Sequence, residues 1–354
     1  MSKISKNKKV AIVFFNLGGP DSLNAVKPFL FNLFNDKYII TLPKIFRSII
    51  AWIISSRREK IAREIYSQMG NKSTILEETQ NQAKAVKEYL NDKVKFDYEI
   101  FTCMRHWHPM SLEVIKKIEN YAPDELILLP LYPHFSTTTT GSSIEDFISE
   151  KEKTSLKNTK CKTICCYPTD SNFIRSHVDL IMNMTKELDR NKNYRILFSA
   201  HGLPKRVIKS GDPYQWQIES TVKHIIKNIP LQRIDYRITY QSKVGPLEWI
   251  GPNTEDEIEL AAKQGLDLII VPIAFVSEHS ETKVELDIEY REIAEKYKIS
   301  YKRVPTLSIN KFFIKSLGEI IIKTTEKEEE FVASSEFTKI CPDSFGKCPC
   351  KIRN

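Results

Sequence analysis

VAIVFFNLGGP, residues 10–20, is a short apolar run that stops at a glycine-containing turn. Runs of this length, bounded by turn residues, suit a strand buried on both faces; a helix needs a longer amphipathic period. Working outward, similar runs lie near 98–103, 125–131 and 162–167. A second set lies near 194–200, 235–241, 267–275 and 299–304. Longer amphipathic stretches separate the runs, which is the pattern of βαβ units and parallel sheets. The second set opens as the first does, with a strand entering the turn Ser199-Ala200-His201-Gly202-Leu203-Pro204. The chain thus reads as two similar halves, without a close sequence repeat.

The length of 354 residues suits two domains of ordinary size, and the 41% apolar share is enough to bury two cores. With 28% charged residues the class is soluble and globular. The net charge of +8 is spread along the chain, and Lys3, Lys6, Lys8 and Lys9 read as a solvated arm. No basic stripe with interleaved aromatics is present, so nucleic acid is not an expected partner. A weak attraction to anionic membrane is the better use of the charge. No signal peptide is visible, since Val10–Phe15 is too short for one; the expected location is cytoplasmic, on the inner membrane's surface where it meets membrane at all.

Between their first two strands, the first half carries about twice as many residues as the second. The surplus, about 29–75, holds the longest apolar stretch, Tyr38 to Ile54, and reads as a lid or lip over a site. Pro43, Lys44 and Arg47 interrupt that stretch, so it falls short of the roughly 20 apolar residues a membrane span needs. Ile45, Phe46, Ile49, Ile50, Trp52 and Ile53 cover one helix face, with Arg47 opposite. A segment lying on a membrane and a core helix both fit that pattern.

In open α/β sheets, ligands bind beyond the carboxyl ends of the strands. Asn16-Leu17-Gly18-Gly19-Pro20 lies at such an end but lacks the full spacing of a dinucleotide fingerprint. His201 lies at another, held on a stiff turn. VPIAFVSEHSETKVELDIEY, residues 271–290, places Glu281, Glu285 and Glu289 at i, i+4 and i+8 beside His279. Like charges at that spacing disfavour a helix, and a row of carboxylates entering a pocket can carry a hard divalent cation. Gln241-Ser242-Lys243, followed by Trp249, marks a third strand end, where an indole can pack on a flat ligand. Of seven cysteines, three lie in the tail as Cys341-x6-Cys348-x-Cys350, and three are Cys161, Cys165 and Cys166. Such clusters without a secretion signal suggest metal.

These segments resemble ferrochelatases. FSAHGLP, TYQSKVGPLEWIGP and VPIAFVSEHSETKVELDIEY look like that family's signatures, and FNLGGP and LLPLYPHFSTTTTGSS match its first-half motifs in order. The resemblance covers roughly residues 9 to 330. It implies an α/β fold of two Rossmann-like lobes, each a mainly parallel four-stranded sheet flanked by helices, with a porphyrin cleft between them. The expected domains are 1–170, 171–330 and a cysteine-containing tail, 331–354. The resemblance makes His201 the active-site histidine and Glu281 its partner carboxylate, with Glu285 and Glu289 lining a partly π-type helix that leads away from the metal. Glu278 and His279 match neighbouring polar positions. Leu17, Leu42, Tyr66 and Trp249 match the pocket wall, and Arg58 and Lys243 the macrocycle's edge. The expected reaction inserts Fe²⁺, a substrate, into protoporphyrin IX. A coproporphyrin ferrochelatase, a cobalt chelatase and a non-catalytic tetrapyrrole carrier are the alternatives.

One departure concerns iron–sulfur chemistry. In animal members a cluster cysteine comes from the segment matching PHFSTTTTGSS, where this chain has Thr137. The tail instead resembles cluster-bearing bacterial members. A [2Fe–2S] cluster normally takes four thiolates. Cys341, Cys348 and Cys350 supply three, and Cys166 is the favoured fourth, with Cys161 and Cys165 as the other candidates.

Overall fold

The computed structural model describes residues 8–189, 191–231 and 234–350; Lys3 and Lys6 lie outside them. Among the described residues, nine strands build two sheets. β1 (Lys9–Asn16), β2 (Asp97–Met104), β3 (Glu125–Pro130), β4 (Lys160–Cys166) and β9 (Phe331–Ser334) form the first, in the order β2-β1-β3-β4-β9. β5 (Tyr194–His201), β6 (Asp235–Gln241), β7 (Asp267–Pro272) and β8 (Tyr301–Arg303) form the second, in the order β6-β5-β7-β8. All neighbours pair in parallel. The two sheets share one winding, and the first has one strand more than the four expected, because Phe331–Ser334 returns to pair with β4. Every residue of β3 and β7 is buried, which is why these strands read as unbroken apolar runs.

Eleven helices are described: α1 (Val26–Phe34), α2 (Lys44–Ser67), α3 (Ile75–Leu90), α4 (Ser111–Tyr121), α5 (Ser142–Lys151), α6 (Ser171–Thr185), α7 (Lys205–Lys209), α8 (Tyr214–Asn228), α9 (Thr254–Lys263), α10 (Tyr290–Lys296) and α11 (Lys311–Thr325). A π-helical segment follows the third strand of each sheet, at Thr137–Gly141 and Glu281–Glu289. One apolar core runs from β1 and β3 through α6 and α11 to β5 and β7, so the lobes are packed together. α3 also reaches across. Thr74 Oγ1 donates to the Glu278 carbonyl at 2.7 Å, and the Gln82 amide donates to the Val276 carbonyl at 2.7 Å. The loop after β7 is therefore gripped by the first lobe.

Sequence periodicity left two fates for the 38–54 segment, and the structure bears on the core-helix one. Ile45, Phe46, Ile49 and Trp52 are 74%, 61%, 53% and 60% exposed at the start of α2, while Ala62 and Tyr66 near its end are buried. The apolar face stands outside the core. No described helix is long and apolar enough to cross a membrane.

Candidate active site

The winding puts the carboxyl ends of β1 and β5 at the points where strand order reverses, where ligands bind in such sheets. After β1 the chain must turn tightly. Gly18 has φ +84°, and a side chain there would press on the Trp107 backbone. After β5 stands His201, in register with Gln241 at the end of β6. The Tyr214 hydroxyl donates to the His201 carbonyl at 3.0 Å and fixes the backbone from α8.

Glu281 opens the second π-helix. Its Oε2 stands 2.7 Å from His201 Nδ1. The imidazole is 37% exposed and the carboxylate 23%, so solvent reaches the pair. Burial works against a charge on His201, but the Glu281 carboxylate outweighs it, helped by Glu285, and raises the ring's pKa. Burial likewise acts to raise Glu281, yet the His201 charge and hydrogen bond hold it down at about 2. The two shifts run in opposite directions, and both favour an imidazolium–carboxylate ion pair over the neutral form.

The pair is extended through Ser242. Its Oγ is 3.0 Å from Glu281 Oε2 and 2.5 Å from Glu285 Oε2, and its N–H donates to Glu285 Oε1 at 2.8 Å. Gln241 Nε2 and the Tyr290 hydroxyl donate to Glu285 at 3.0 and 2.9 Å. A hydroxyl has one proton to give. If Ser242 donates to Glu281, Glu285 must donate to Ser242. Burial, then the Glu281 charge, raise the Glu285 pKa, which suits it to hold that proton. Ser242 sits at φ +63°, a strained conformation for a non-glycine residue, so the surrounding contacts over-determine it. Glu285, Ser242, Glu281 and His201 together can pass a proton along a row.

The remaining sequence-derived residues fall around this row. Glu289 is exposed at the far end of the π-helix, with its pKa raised by partial burial and the charges of Glu255 and Glu292. The Trp249 ring lies edge-on to His201 at 6.3 Å. The buried Tyr66 hydroxyl bonds Ser280, beside Glu281. His279 is buried against Phe275 at 4.7 Å, and burial lowers its pKa. Leu17 is half-buried just past β1. Leu42 is 41% exposed ahead of α2. Arg58 and Lys243 make no ion pair among the described residues. His201, Glu281, Glu285 and Glu289 form a row rather than a cage; among the described residues no three His, Cys, Asp or Glu side chains are set to hold one ion. Sequence reasoning missed Ser242 and Tyr214. Ser242 lay inside the quoted QSK motif, and its position between two carboxylates is visible only in three dimensions.

The fold is that of the chelatases. It resembles SirB from Bacillus subtilis with Fe³⁺ at a TM-score of 0.55 and 10% identity, covering 90% of this chain and 95% of that one. It resembles the sirohydrochlorin chelatase SirB from Bacillus subtilis subspecies spizizenii, in complex with cobalt, at a TM-score of 0.53 and 9% identity, covering 90% and 96%. The family model for ferrochelatase matches residues 9–325. Ferrochelatase from Rickettsia felis is 56% identical over 98% of this chain and 99% of its own, and that from Pelagibacter ubique 49% over 97% and 98%. The chain belongs to the ferrochelatase family and is a metal chelatase that inserts iron into a porphyrin.

Proposed function

We propose that the porphyrin is protoporphyrin IX and that His201 and Glu281 form the reacting centre. A free-base porphyrin is nearly flat and carries two inner N–H groups. Iron enters only as the ring buckles, the protons leave and the ion sheds water. A shaped cleft offsets the cost of buckling with binding energy gained elsewhere on the ring. The observation that carries the reading is the 2.7 Å ion pair, reached by solvent and joined through Ser242 to a second carboxylate. A proton taken from a pyrrole N–H needs His201 neutral, so the imidazole must first lose its own proton to solvent; Glu281 then holds the ring in place and stabilises the charge it gains. Glu285 and Glu289 continue the row to the surface, an outlet for protons or an inlet for Fe²⁺. Arg58 and Lys243 are free to face the porphyrin's carboxylates. Anaerobic incubation of the protein with protoporphyrin and Fe²⁺ should give the haem spectrum. The apolar face of α2 supports protoporphyrin over the more polar coproporphyrin. Faster turnover of coproporphyrin in a side-by-side assay would reverse that choice. A carrier would need the cleft but not the proton row.

The exposed Ile45, Phe46, Ile49 and Trp52 also support peripheral attachment to membrane. Vesicles of anionic lipid should retain the protein, high salt should release part of it, and detergent the rest.

The tail supports a [2Fe–2S] cluster. Cys165 and Cys166 lie in β4, whose register with β9 shifts between Ile164 and Cys166, and their sulfurs are 3.6 Å apart. That irregularity turns two adjacent side chains to one side. They pack with Cys348 and Cys350 around Phe135 and Ala333. Gln217 Nε2 donates to Cys166 Sγ at 3.4 Å and Cys341 Sγ at 3.2 Å. The Cys348 thiol shares a hydrogen bond with Cys341, which lowers the pKa of Cys348 and raises that of Cys341. Cys161 packs instead into the core around Phe147 and Leu156, away from this group. Cys166, Cys341, Cys348 and Cys350, with Cys165 adjacent, are the residues that would hold the cluster by drawing together from this neighbourhood; bound there, it would supply a structural tie. Anaerobically purified protein should be red-brown. A colourless preparation without acid-labile sulfide removes the cluster and leaves the chelatase reading intact.

A further inference from the structure

The π-helix Glu281–Glu289 needs an explanation, because long runs of i→i+5 backbone bonding are rare and cluster at functional sites. Its own side chains do not favour it, with Glu281, Glu285 and Glu289 on adjoining turns. The side chains that hold it come from outside. Arg303, at the end of the edge strand β8, is 12% exposed. Its Nε and Nη2 fork onto the Asp287 carboxylate, both at 2.6 Å. Its Nη1 donates to Glu278 Oε1 at 2.8 Å, an oxygen that also accepts from the Thr306 N–H at 3.0 Å. Two main-chain carbonyls inside the wide helix are held as well. The Tyr301 hydroxyl donates to the Leu286 carbonyl at 2.7 Å, and Arg291 Nε to the Asp287 carbonyl at 3.0 Å. Glu278 precedes Glu281 by three residues, and Asp287 follows Glu285 by two. One guanidinium thus grips the chain on both sides of the two carboxylates that meet Ser242.

We propose that Arg303 is a positioning residue for the reaction: it fixes the wide register of Glu281–Glu289 and thereby the placement of Glu285 against Ser242 and Glu281. Arg303 bonds Asp287 and Glu278 and makes no hydrogen bond to His201, Glu281 or Glu285. It acts through Asp287 and Glu278, and only a planar fork can satisfy both, so lysine is not an equivalent. Released from the fork, the segment relaxes toward ordinary α-helical register. That rotates Glu285 relative to Glu281 and opens the contact through Ser242.

The inference rests on His201 and Glu281 being the reacting centre, and the test separates the two. Steady-state metallation is measured for Arg303→Leu, Arg303→Lys and Asp287→Asn, with porphyrin affinity followed by fluorescence quenching and amide exchange followed across 278–290. A misplacement of this kind costs up to about a hundredfold in turnover. Arg303→Leu should lose about that much in kcat, Asp287→Asn about tenfold, and Arg303→Lys a value between them. Porphyrin affinity should stay within about twofold, and exchange should rise within 278–290 ahead of the rest of the second lobe. A folded Arg303→Leu with unchanged kcat overturns the proposal, even if its melting temperature falls, because a merely structural role predicts that combination. If Arg303→Leu does not fold, Asp287→Asn decides: it keeps a hydrogen-bonding side chain but loses the charge, and unchanged kcat and exchange there overturn the proposal equally. Normal turnover of His201→Ala would instead remove the reading beneath it.

Discussion

The exits of the third strands show what the two lobes share and where they part. β3 runs through Leu131–Ser136 into Thr137–Gly141, and β7 through Ile273–Ser280 into Glu281–Glu289. Both exits are π-helical. In the first lobe the turn carries hydroxyls. Asp212 accepts from Thr137 N, Thr137 Oγ1 and Ser136 Oγ at 2.7, 2.8 and 3.1 Å, and its other oxygen accepts from the Tyr214 N–H at 3.0 Å. That carboxylate is fully buried and ties the two lobes together. In the second lobe the turn carries carboxylates, which meet His201 and Ser242 where solvent reaches them. One backbone device therefore serves as a knot in one place and a site in the other. The side chains, and whether solvent reaches them, decide which.

The largest effect should follow from breaking the site. His201→Ala should reduce metallation by about 10²–10⁴-fold, the usual contribution of one acid–base residue, while porphyrin still binds. Glu281→Gln should be similarly impaired. It should also lower the His201 pKa, because the carboxylate is what raises it. The pH–rate limb belonging to that histidine then moves to lower pH. Near-normal turnover in either variant removes the assignment.

Glu285→Gln should cost less, about tenfold, since it removes one charge-assisted contact in the row while His201 and Glu281 keep their own. A loss as large as that of His201→Ala would instead place Glu285 at the reacting centre.

Asp212→Asn sharpens the contrast from the other lobe. The new amide points a donor where Thr137 and Ser136 also donate, leaving groups unsatisfied. The expected cost is about 1–3 kcal/mol of stability, with kcat close to normal. If kcat falls while the melting temperature holds, the first turn is part of the site and the contrast fails.

Much of this was legible before the structure. Eight strands announced themselves, most plainly the central ones such as β3 and β7, whose full burial forces apolar runs. His201 and the 278–289 row were legible because titratable residues at strand ends are conspicuous. β9 was not, since Phe331–Ser334 is four residues beside an irregular partner. The exposed face of α2 was not, because periodicity gives a stripe without saying what covers it. Asp212 and Arg303 were invisible for another reason. Each acts on residues far along the chain, and a lone Asp or Arg in sequence looks like any solvated charge. Cys161 was wrongly grouped with its neighbours, because three cysteines within six positions say nothing of which side each faces.

The smallest expected effect compares histidines rather than turns. His134, in the loop after β3, and His177, on α6, are buried and meet no carboxylate, and burial lowers both to about 3. His201 is paired and raised. The signs are opposite. In the unfolded chain each histidine takes a proton near pH 6.5, so His134 and His177 cost stability as pH falls below that value and go on doing so until about 3. The His201 contribution is fully present below 6.5 and is lost only as pH rises through its higher folded value. Between pH 7.5 and 6 the buried pair should therefore cost about 1 kcal/mol apiece, while His201 costs nothing. Denaturant unfolding at a series of pH values would read this directly. His177→Leu replaces a ring whose Nε2 has no partner, so it should fold, and it should flatten the acid slope by about one proton. Parallel slopes for the two proteins would show that His177 already carries its proton when folded, and that pairing with a carboxylate is not what separates it from His201.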